Sequence, residues 1–424
     1  MERNFSFVNA GKKGLLGFAL IAISWLSCAQ SQNSVSWLND NLIPLDSITE
    51  SHPMFKSDQL RQLFSGRTVF GLGESTHGSG GIFSLKAELI KYLVKTHGVT
   101  LIGMETDLAL AQAVNEYLLS PEADTSRLKN GVYFLYDTKE IWDLIKWLKA
   151  YNLAHPERKI KFFGFDVKSP WGALAKISAT PEARASADLQ TLIKNLSECY
   201  KDLEGSESAP SKKSLRQVKQ LSDELHSKVS QLPVSDEIKH LASTLVQLST
   251  FRTKEGAAST NYRDAFMFDN ISWMQQKFSN EKIVVWAHND HIQKRSLGGH
   301  RHTGSYLKEK YGDNYIAIAF TVGTGKYAAF IGGKFNQENI LATAPQNSIE
   351  YYLGKAVSRS FLVPTYAKGS NVLFTDKMAI RNIGWIVPAK PEWQFSPNQP
   401  VISMYDAIAY VHESGSPVRA ESQK

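Results

Sequence analysis

Cysteine is nearly absent from this chain of 424 residues, which has two, Cys28 and Cys199. Two thiols cannot staple a disulfide scaffold or fill a four-thiolate zinc site, so the chemistry has to rest on other side chains. Long apolar runs are scarce too. The stretch Gly14 to Leu26 has about half the length of a spanning helix, and no other run approaches the roughly 18–20 residues that a span requires. Charge of one sign is also missing. Lys and Arg number 48 against 41 Asp and Glu, a formal charge of +7 with no basic arm or tail, so the composition gives no reason to expect a nucleic-acid partner. The remainder is ordinary for a globular protein: 42% hydrophobic and 21% charged residues exclude a largely disordered chain.

The amino terminus reads as an address. Arg3, Lys12 and Lys13 precede the apolar stretch, and the small residues of Ser27-Cys28-Ala29 follow it, the pattern of a secretory signal cut after Ala29. Leu26-Ser27-Cys28 is also a partial lipobox, so the alternative is a lipoprotein signal ending at a lipid anchor on Cys28. The expected location is the periplasm or the envelope. Loss of residues 1–28 removes three cations and one anion, Glu2, and takes +7 down to +5.

Four short runs have the β-branched and aromatic character of buried strands: 68–73, 100–104, 160–165 and 282–287. The first three alternate with helical patterns at 82–96, 108–119 and 140–152, a βαβ rhythm that predicts a mostly parallel central sheet flanked by helices. Residues 183–250 change texture. Leu189, Leu192 and Leu196, then Leu221 and Leu225, keep helical spacing with almost no strand signal, and predict a helical lobe that forms one wall of a cleft. The α/β core then falls into two parts, 30–182 and 251–424. Further strands are expected at 315–320 and 327–331, with Gly323-Thr324-Gly325-Lys326 as a turn between them.

Polar residues stand at the end of each of the four runs: Glu74 and His77, Glu105 and Asp107, Asp166, then His288, Asn289, Asp290 and His291. Open parallel sheets bind ligands beyond the carboxyl ends of their strands, so parallel neighbours would bring these groups to one rim. Helix capping is the competing reading for Asp107 and Asp166. A serine nucleophile at Ser75 fails, because an elbow needs Gly where His77 stands. Cys199 lies in the helical segment, remote from every His. Two chemistries remain open on the residues alone: a zinc site drawn from Glu74, His77, Glu105, His288 and His291, or metal-free hydrolysis by a carboxylate-held imidazole. Arg263-Asp264 reads as a surface pair or as an Arg aimed at the rim, and His300-Arg301-His302 as a solvated cationic loop.

The same residues resemble the erythromycin esterase family. The matching pieces are GLGESTHG (71–78), IFSLKAELIKYLVKTHG (82–98), LIGMETD (101–107), FFGFD (162–166), YRDAFMFDNISWM (262–274), WAHNDHI (286–292) and GSYLKEKYGDNYIAIAFTVGTG (304–325), with an echo in SIEYYLGKAVSRSFL (348–362). The resemblance implies a two-lobed α/β hydrolase that opens the lactone ester of macrolide antibiotics, with a His-activated water and no covalent intermediate, metal or other cofactor. It implies His77 as general base, Glu74 and Glu105 as its carboxylate partners, and His288 and His291 as further imidazoles of the cleft. Arg263 matches the family's Arg before the last of the four strands, and with Asn289 and Asp166 is expected to bind substrate. Two departures stand out. Ser79-Gly80-Gly81 replaces a common Thr-Arg-Glu, and Asp290 replaces a usual Gly or Ala. The alternatives are a metal-dependent esterase acting on another ester, such as one on a polysaccharide, and a non-catalytic envelope ligand-binding protein.

Overall fold

The computed structural model describes residues 32–45, 57–122, 128, 132–205, 209–279, 281–375 and 377–420. The expected signal segment 1–29 and the anchor at Cys28 lie outside them. Among the described residues no helix is long and apolar enough to cross a membrane.

Among the described residues eleven strands run in chain order: β1 Ile43–Pro44, β2 Val69–Leu72, β3 Leu101–Asp107, β4 Lys161–Asp166, β5 Ile283–Trp286, β6 Tyr315–Ile331, β7 Lys334–Ile340, β8 Ser360–Pro364, β9 Ile380–Arg381, β10 Phe395–Ser396 and β11 Ala407–Ser414. Nine form the central sheet in the order β1-β8-β11-β6-β2-β5-β3-β4, with β7 paired to β6; β9 and β10 make a separate antiparallel ladder. From β11 to β4 all neighbours are parallel. The four runs picked from the sequence are β2, β5, β3 and β4, which lie side by side.

Strand periodicity explains why both faces are covered. Ile283 and Val285 point into one apolar cluster and Val284 and Trp286 into the other, and Tyr315, Ala317 and Ala319 alternate in the same way with Ile316, Ile318 and Phe320. Helices Gly80–Tyr92 and Lys139–Ala154 cover the second face. Helix Gly256–Lys277 covers the first, together with helices Ala187–Gly205, Lys212–Ser230 and Asp236–Arg252. The Ser211 and Ser235 hydroxyls cap the last two of these, accepting from the backbone N–H three residues on. Arg252 on the last donates to the Lys168 carbonyl, next to the ends of the strands.

The structure corrects the reading of residues 315–331. They form one strand, and the expected turn at 323–326 lies within it, with Thr324 and Gly325 paired to Glu413 and Ser414 and Lys326 to Ile340. Gly325 has φ +112, and a Cβ there would lie 2.0 Å from the Ser414 carbonyl oxygen. This glycine lets β6 change partners from β11 to β7 without breaking. The extended strand thereby overhangs the carboxyl edge of the sheet, where the Ala328 N–H donates to the Gly78 carbonyl.

Candidate active site

The turn after β2 is held from three sides. The Gly73 N–H donates to Ile318 of β6, the Asn289 N–H to the Glu74 carbonyl, and the Ile383 N–H to the Ser75 carbonyl. A Cβ at Gly73 would sit 2.0 Å from Asn289 Oδ1, and one at Gly78 would sit 1.9 Å from the Ala328 carbonyl oxygen, so only glycine permits these approaches. Glu74 and His77 are fixed as a result. Glu74 is wholly buried and accepts four hydrogen bonds: Oε1 from His77 Nδ1 (2.8 Å) and the Tyr136 hydroxyl (3.0 Å), Oε2 from Lys86 Nζ (2.8 Å) and Trp286 Nε1 (2.7 Å). Burial would raise its pKa, but the Lys86 ammonium and then His77 outweigh burial and lower it, so it stays a carboxylate. Burial pulls Lys86 down to about 8 against the attraction of Glu74, and its Nζ lies 4.0 Å from the Trp286 ring centre.

A carboxylate only accepts hydrogen bonds, so His77 carries its proton on Nδ1, which leaves Nε2 with a free lone pair. Its ring lies 5.1 Å from that of His288, centre to centre. His288 caps the short helix Asn289–Ile292: Nδ1 accepts from the Asp290 N–H, and Nε2 donates to the Ile383 carbonyl at 3.2 Å. With both nitrogens engaged and burial lowering its pKa, His288 is a neutral ring fixed beside His77.

The second half of the rim is an ionic lattice. Arg263 donates Nε and Nη2 to the two Asp166 oxygens (2.9 and 2.6 Å) and Nη2 to Glu105 Oε1 (2.9 Å). Lys168 Nζ lies 3.2 Å from both carboxylates, and the other Glu105 oxygen accepts the His288 N–H at 2.9 Å. His291 Nδ1 donates to Asp264 Oδ1 at 2.8 Å while its Nε2 lies 3.2 Å from Arg263 Nη1. Burial opposes the charge on His291, but Asp264 and Glu105 raise its pKa overall.

The structure thus brings Glu74, His77, Glu105, Asp166, Arg263, His288 and His291 together and redistributes their expected roles. Glu105 is not hydrogen-bonded to His77; it neutralises Arg263 and Lys168 and anchors the His288 backbone. Arg263-Asp264 is no surface pair, because Asp264 is wholly buried and also accepts from Thr303 N and Oγ1. His300 and His302 belong to no solvated loop: His300 reaches Asp264 Oδ2 at 3.1 Å, and His302 is buried. Both Asp166 oxygens are occupied, by Arg263, Lys168 and the Val167 N–H. Ser75 is buried with no partner for its hydroxyl, and Cys199 sits far off on helix Ala187–Gly205. Gly80 and Gly81 pack under residues 414–417, Gly80 N–H donating to the Gly415 carbonyl and Gly81 N–H to Ser414 Oγ, and a Cβ would lie 3.1 Å from Pro417 Cα at Gly80 and 3.0 Å from Ser414 Oγ at Gly81.

Asn289 faces away from the cluster. Its amide donates to the Phe320 carbonyl (3.0 Å) and accepts from the Phe320 N–H (3.1 Å), clamping helix Asn289–Ile292 to β6. Replacement by Ala strands a buried N–H and C=O, so Asn289→Ala is expected to cost about 2–4 kcal/mol of stability by urea titration. A rise in KM with unchanged stability would instead make it a substrate contact.

Sequence signals for Lys86, Tyr136, Trp286 and Lys168 were weak, since each looks like an ordinary member of an amphipathic helix, strand or loop. The buried carboxyl groups of the site leave a pH signature. Burial pushes Asp107 up to about 6, whereas Arg263 and Lys168 overcome burial at Asp166 and bring it down to about 2. Glu74, Glu105 and Asp264 are lowered too. A carboxyl held below its unfolded pKa of about 4 contributes stability that is complete above that pH and lost as pH falls through the folded value. Asp107 has the opposite sign: its contribution is present below about 4 and lost as pH rises through 6. Four groups outweigh one. The melting temperature should fall steeply from about pH 4 to pH 2, and melts across that range in Arg263→Met should show a shallower slope.

A parallel α/β sheet with imidazoles and carboxylates gathered at its carboxyl edge has its titratable groups where open α/β proteins bind their ligands. Residues 94–414 match the family model described as Erythromycin esterase, so the chain belongs to the erythromycin esterase family and is an ester hydrolase, with a small-molecule ester as the kind of substrate the family takes. The matched span begins after the Glu74–His77 turn. Erythromycin esterase type II of Escherichia coli is 25% identical over 330 residues, which cover 69% of this chain and 78% of that protein. The crystal structure of a succinoglycan biosynthesis protein superposes with a TM-score of 0.75 at 25% identity, over 92% of this chain and 99% of the other. The erythromycin esterase mutant EreC in its open conformation gives 0.66 at 22%, over 85% and 94%.

Proposed function

We propose that this enzyme opens the lactone ester of macrolide antibiotics by a water that His77 activates, without a covalent intermediate. The single observation that carries the reading is the Glu74–His77 pair, because it leaves Nε2 as the free base. Nε2 takes a proton from water as the water oxygen bonds to the ester carbonyl carbon. Glu74 stabilises the imidazolium without taking the proton, and Lys86, Tyr136 and Trp286 keep the carboxylate in place. Arg263, which also bonds to His291 Nε2, supplies the positive charge that assists the carbonyl oxygen as it gains charge. When the carbon–oxygen ester bond breaks, His77 returns its proton to the leaving alkoxide, giving a carboxylic acid and an alcohol.

Incubation with erythromycin should yield a product heavier by one water molecule. Absence of hydration for every macrolide tried would remove the substrate assignment. A second substrate class, an acyl ester on a polysaccharide, is favoured by the likeness to a protein named for succinoglycan biosynthesis. Acid released from acylated polysaccharide, with macrolides untouched, would select it. Residues 1–29 are read as an export signal; fused to a periplasm-dependent alkaline phosphatase, they should make it active.

A further inference from the structure

Asp264 serves His291 through one oxygen, and its other oxygen belongs to a cluster that the hydrolytic reading does not use. We propose that Asp264, His300 and His302 form a binding site for a divalent transition-metal ion of the zinc type. One ligand atom from each lies within 4.8 Å of the others. His302 supplies the independent observation. It is 5% exposed, its side chain makes no hydrogen bond, and its Nδ1 is enclosed without a partner. A buried imidazole that ignores every protein donor and acceptor is unusual, and a metal ion is a partner that both orphaned nitrogen and low solvent access suit.

The surroundings are built for such an ion. The His300 and His302 rings converge, with centres 4.1 Å apart. Their loop is pinned to helix Gly256–Lys277, since Asn261 accepts from the Arg301 N–H and donates to the Gly299 carbonyl, while Arg301 lies over the Tyr306 ring at 3.8 Å. Asp264 Oδ1 is held by His291 and Thr303, which orients Oδ2 toward His300. Two imidazoles and a carboxylate make a known zinc set with a fourth position for water, at ligand separations of about 3.4 Å, so small rotations of the rings close the site. The ion takes the place of the hydrogen bond between His300 Nε2 and Asp264 Oδ2, and the ring, bound through Nε2, carries its proton on Nδ1. His300, a quarter exposed at its side chain, gives the entry path. The ion clamps the loop before helix Thr303–Tyr311 to helix Gly256–Lys277 and takes no part in moving the ester's protons.

The test is calorimetric titration of ZnCl₂ into the metal-free full chain lacking a polyhistidine tag, with cobalt(II) absorption as the readout of a tetrahedral site. One ion per chain is expected, with Kd raised at least tenfold in His302→Ala and in His300→Ala. The metal-free esterase activity of His302→Ala should match that of the parent. Circular dichroism confirms that each variant is folded, and His300→Ala, at the more exposed position, carries the test if His302→Ala is not. No saturable binding at micromolar zinc overturns the proposal, and so does binding unchanged in the folded variants or lost in His77→Ala instead.

Discussion

Replacement of His77 by Ala should lower kcat for ester hydrolysis about 10³-fold while the protein stays folded, because general-base help contributes roughly 10²–10⁴-fold. The fold should tolerate the change. Glu74 keeps its bonds to Lys86, Tyr136 and Trp286 when His77 is gone, so no buried group loses its last partner. KM should move little, since the proton transfer occurs on the way to the transition state. Glu74→Gln separates the two roles of the pair. The amide still accepts from Nδ1 but leaves Lys86 buried beside no anion, so it should lose both rate and stability where His77→Ala loses rate alone. Steady-state kinetics beside thermal melts read both. Full activity in His77→Ala would overturn the mechanism.

Arg263→Met should produce the largest loss of stability. Met matches much of the Arg volume but removes three charge-assisted hydrogen bonds and leaves the negative charges of Asp166 and Glu105 facing Lys168 and backbone N–H groups without the guanidinium. Breaking a buried ion pair by deleting one partner costs about 3–5 kcal/mol. A fifth of the Arg263 side chain reaches solvent, so the lower end is expected. Urea titration checks the value. The double variant Arg263→Met, Asp166→Asn should regain part of the stability, because the stranded charge is gone, while activity stays low. Recovery of activity in the double variant would mean that Arg263 only neutralises Asp166 and does not assist the carbonyl oxygen.

The strand ends were legible because a buried parallel strand is a local signal: a short β-branched run bounded by polar residues, with a helix of the right length after it. Glu74, His77, Glu105, Asp166, His288 and His291 were therefore visible as a set. The pairing among them was not. His77 bonds to Glu74, three residues away, and spacing suggested as much, but Glu105 bonds to Arg263 at a separation of 158 residues and Glu74 to Trp286 at 212. Asp264 looked like half of a surface pair because its neighbour Arg263 was an obvious partner, yet the two sit on a helix whose turn sends them to different acceptors and donors. Asn289 sat in a motif with two His residues and looked like part of their chemistry, whereas the close approach of β6 required an amide there.

By itself the amino-acid sequence determined the parallel α/β sheet, the family and the rim on which the titratable groups stand, since apolar periodicity and the identity of residues after each strand are properties of short segments. Only the tertiary structure decided that Glu74 takes four donors, that Arg263 and Lys168 neutralise Glu105 and Asp166, and that Asp264 ties His291 to His300. Those choices depend on strand order and on distances across the rim, and burial makes every unpaired charge expensive, so the packing selects partners that no spacing along the chain encodes.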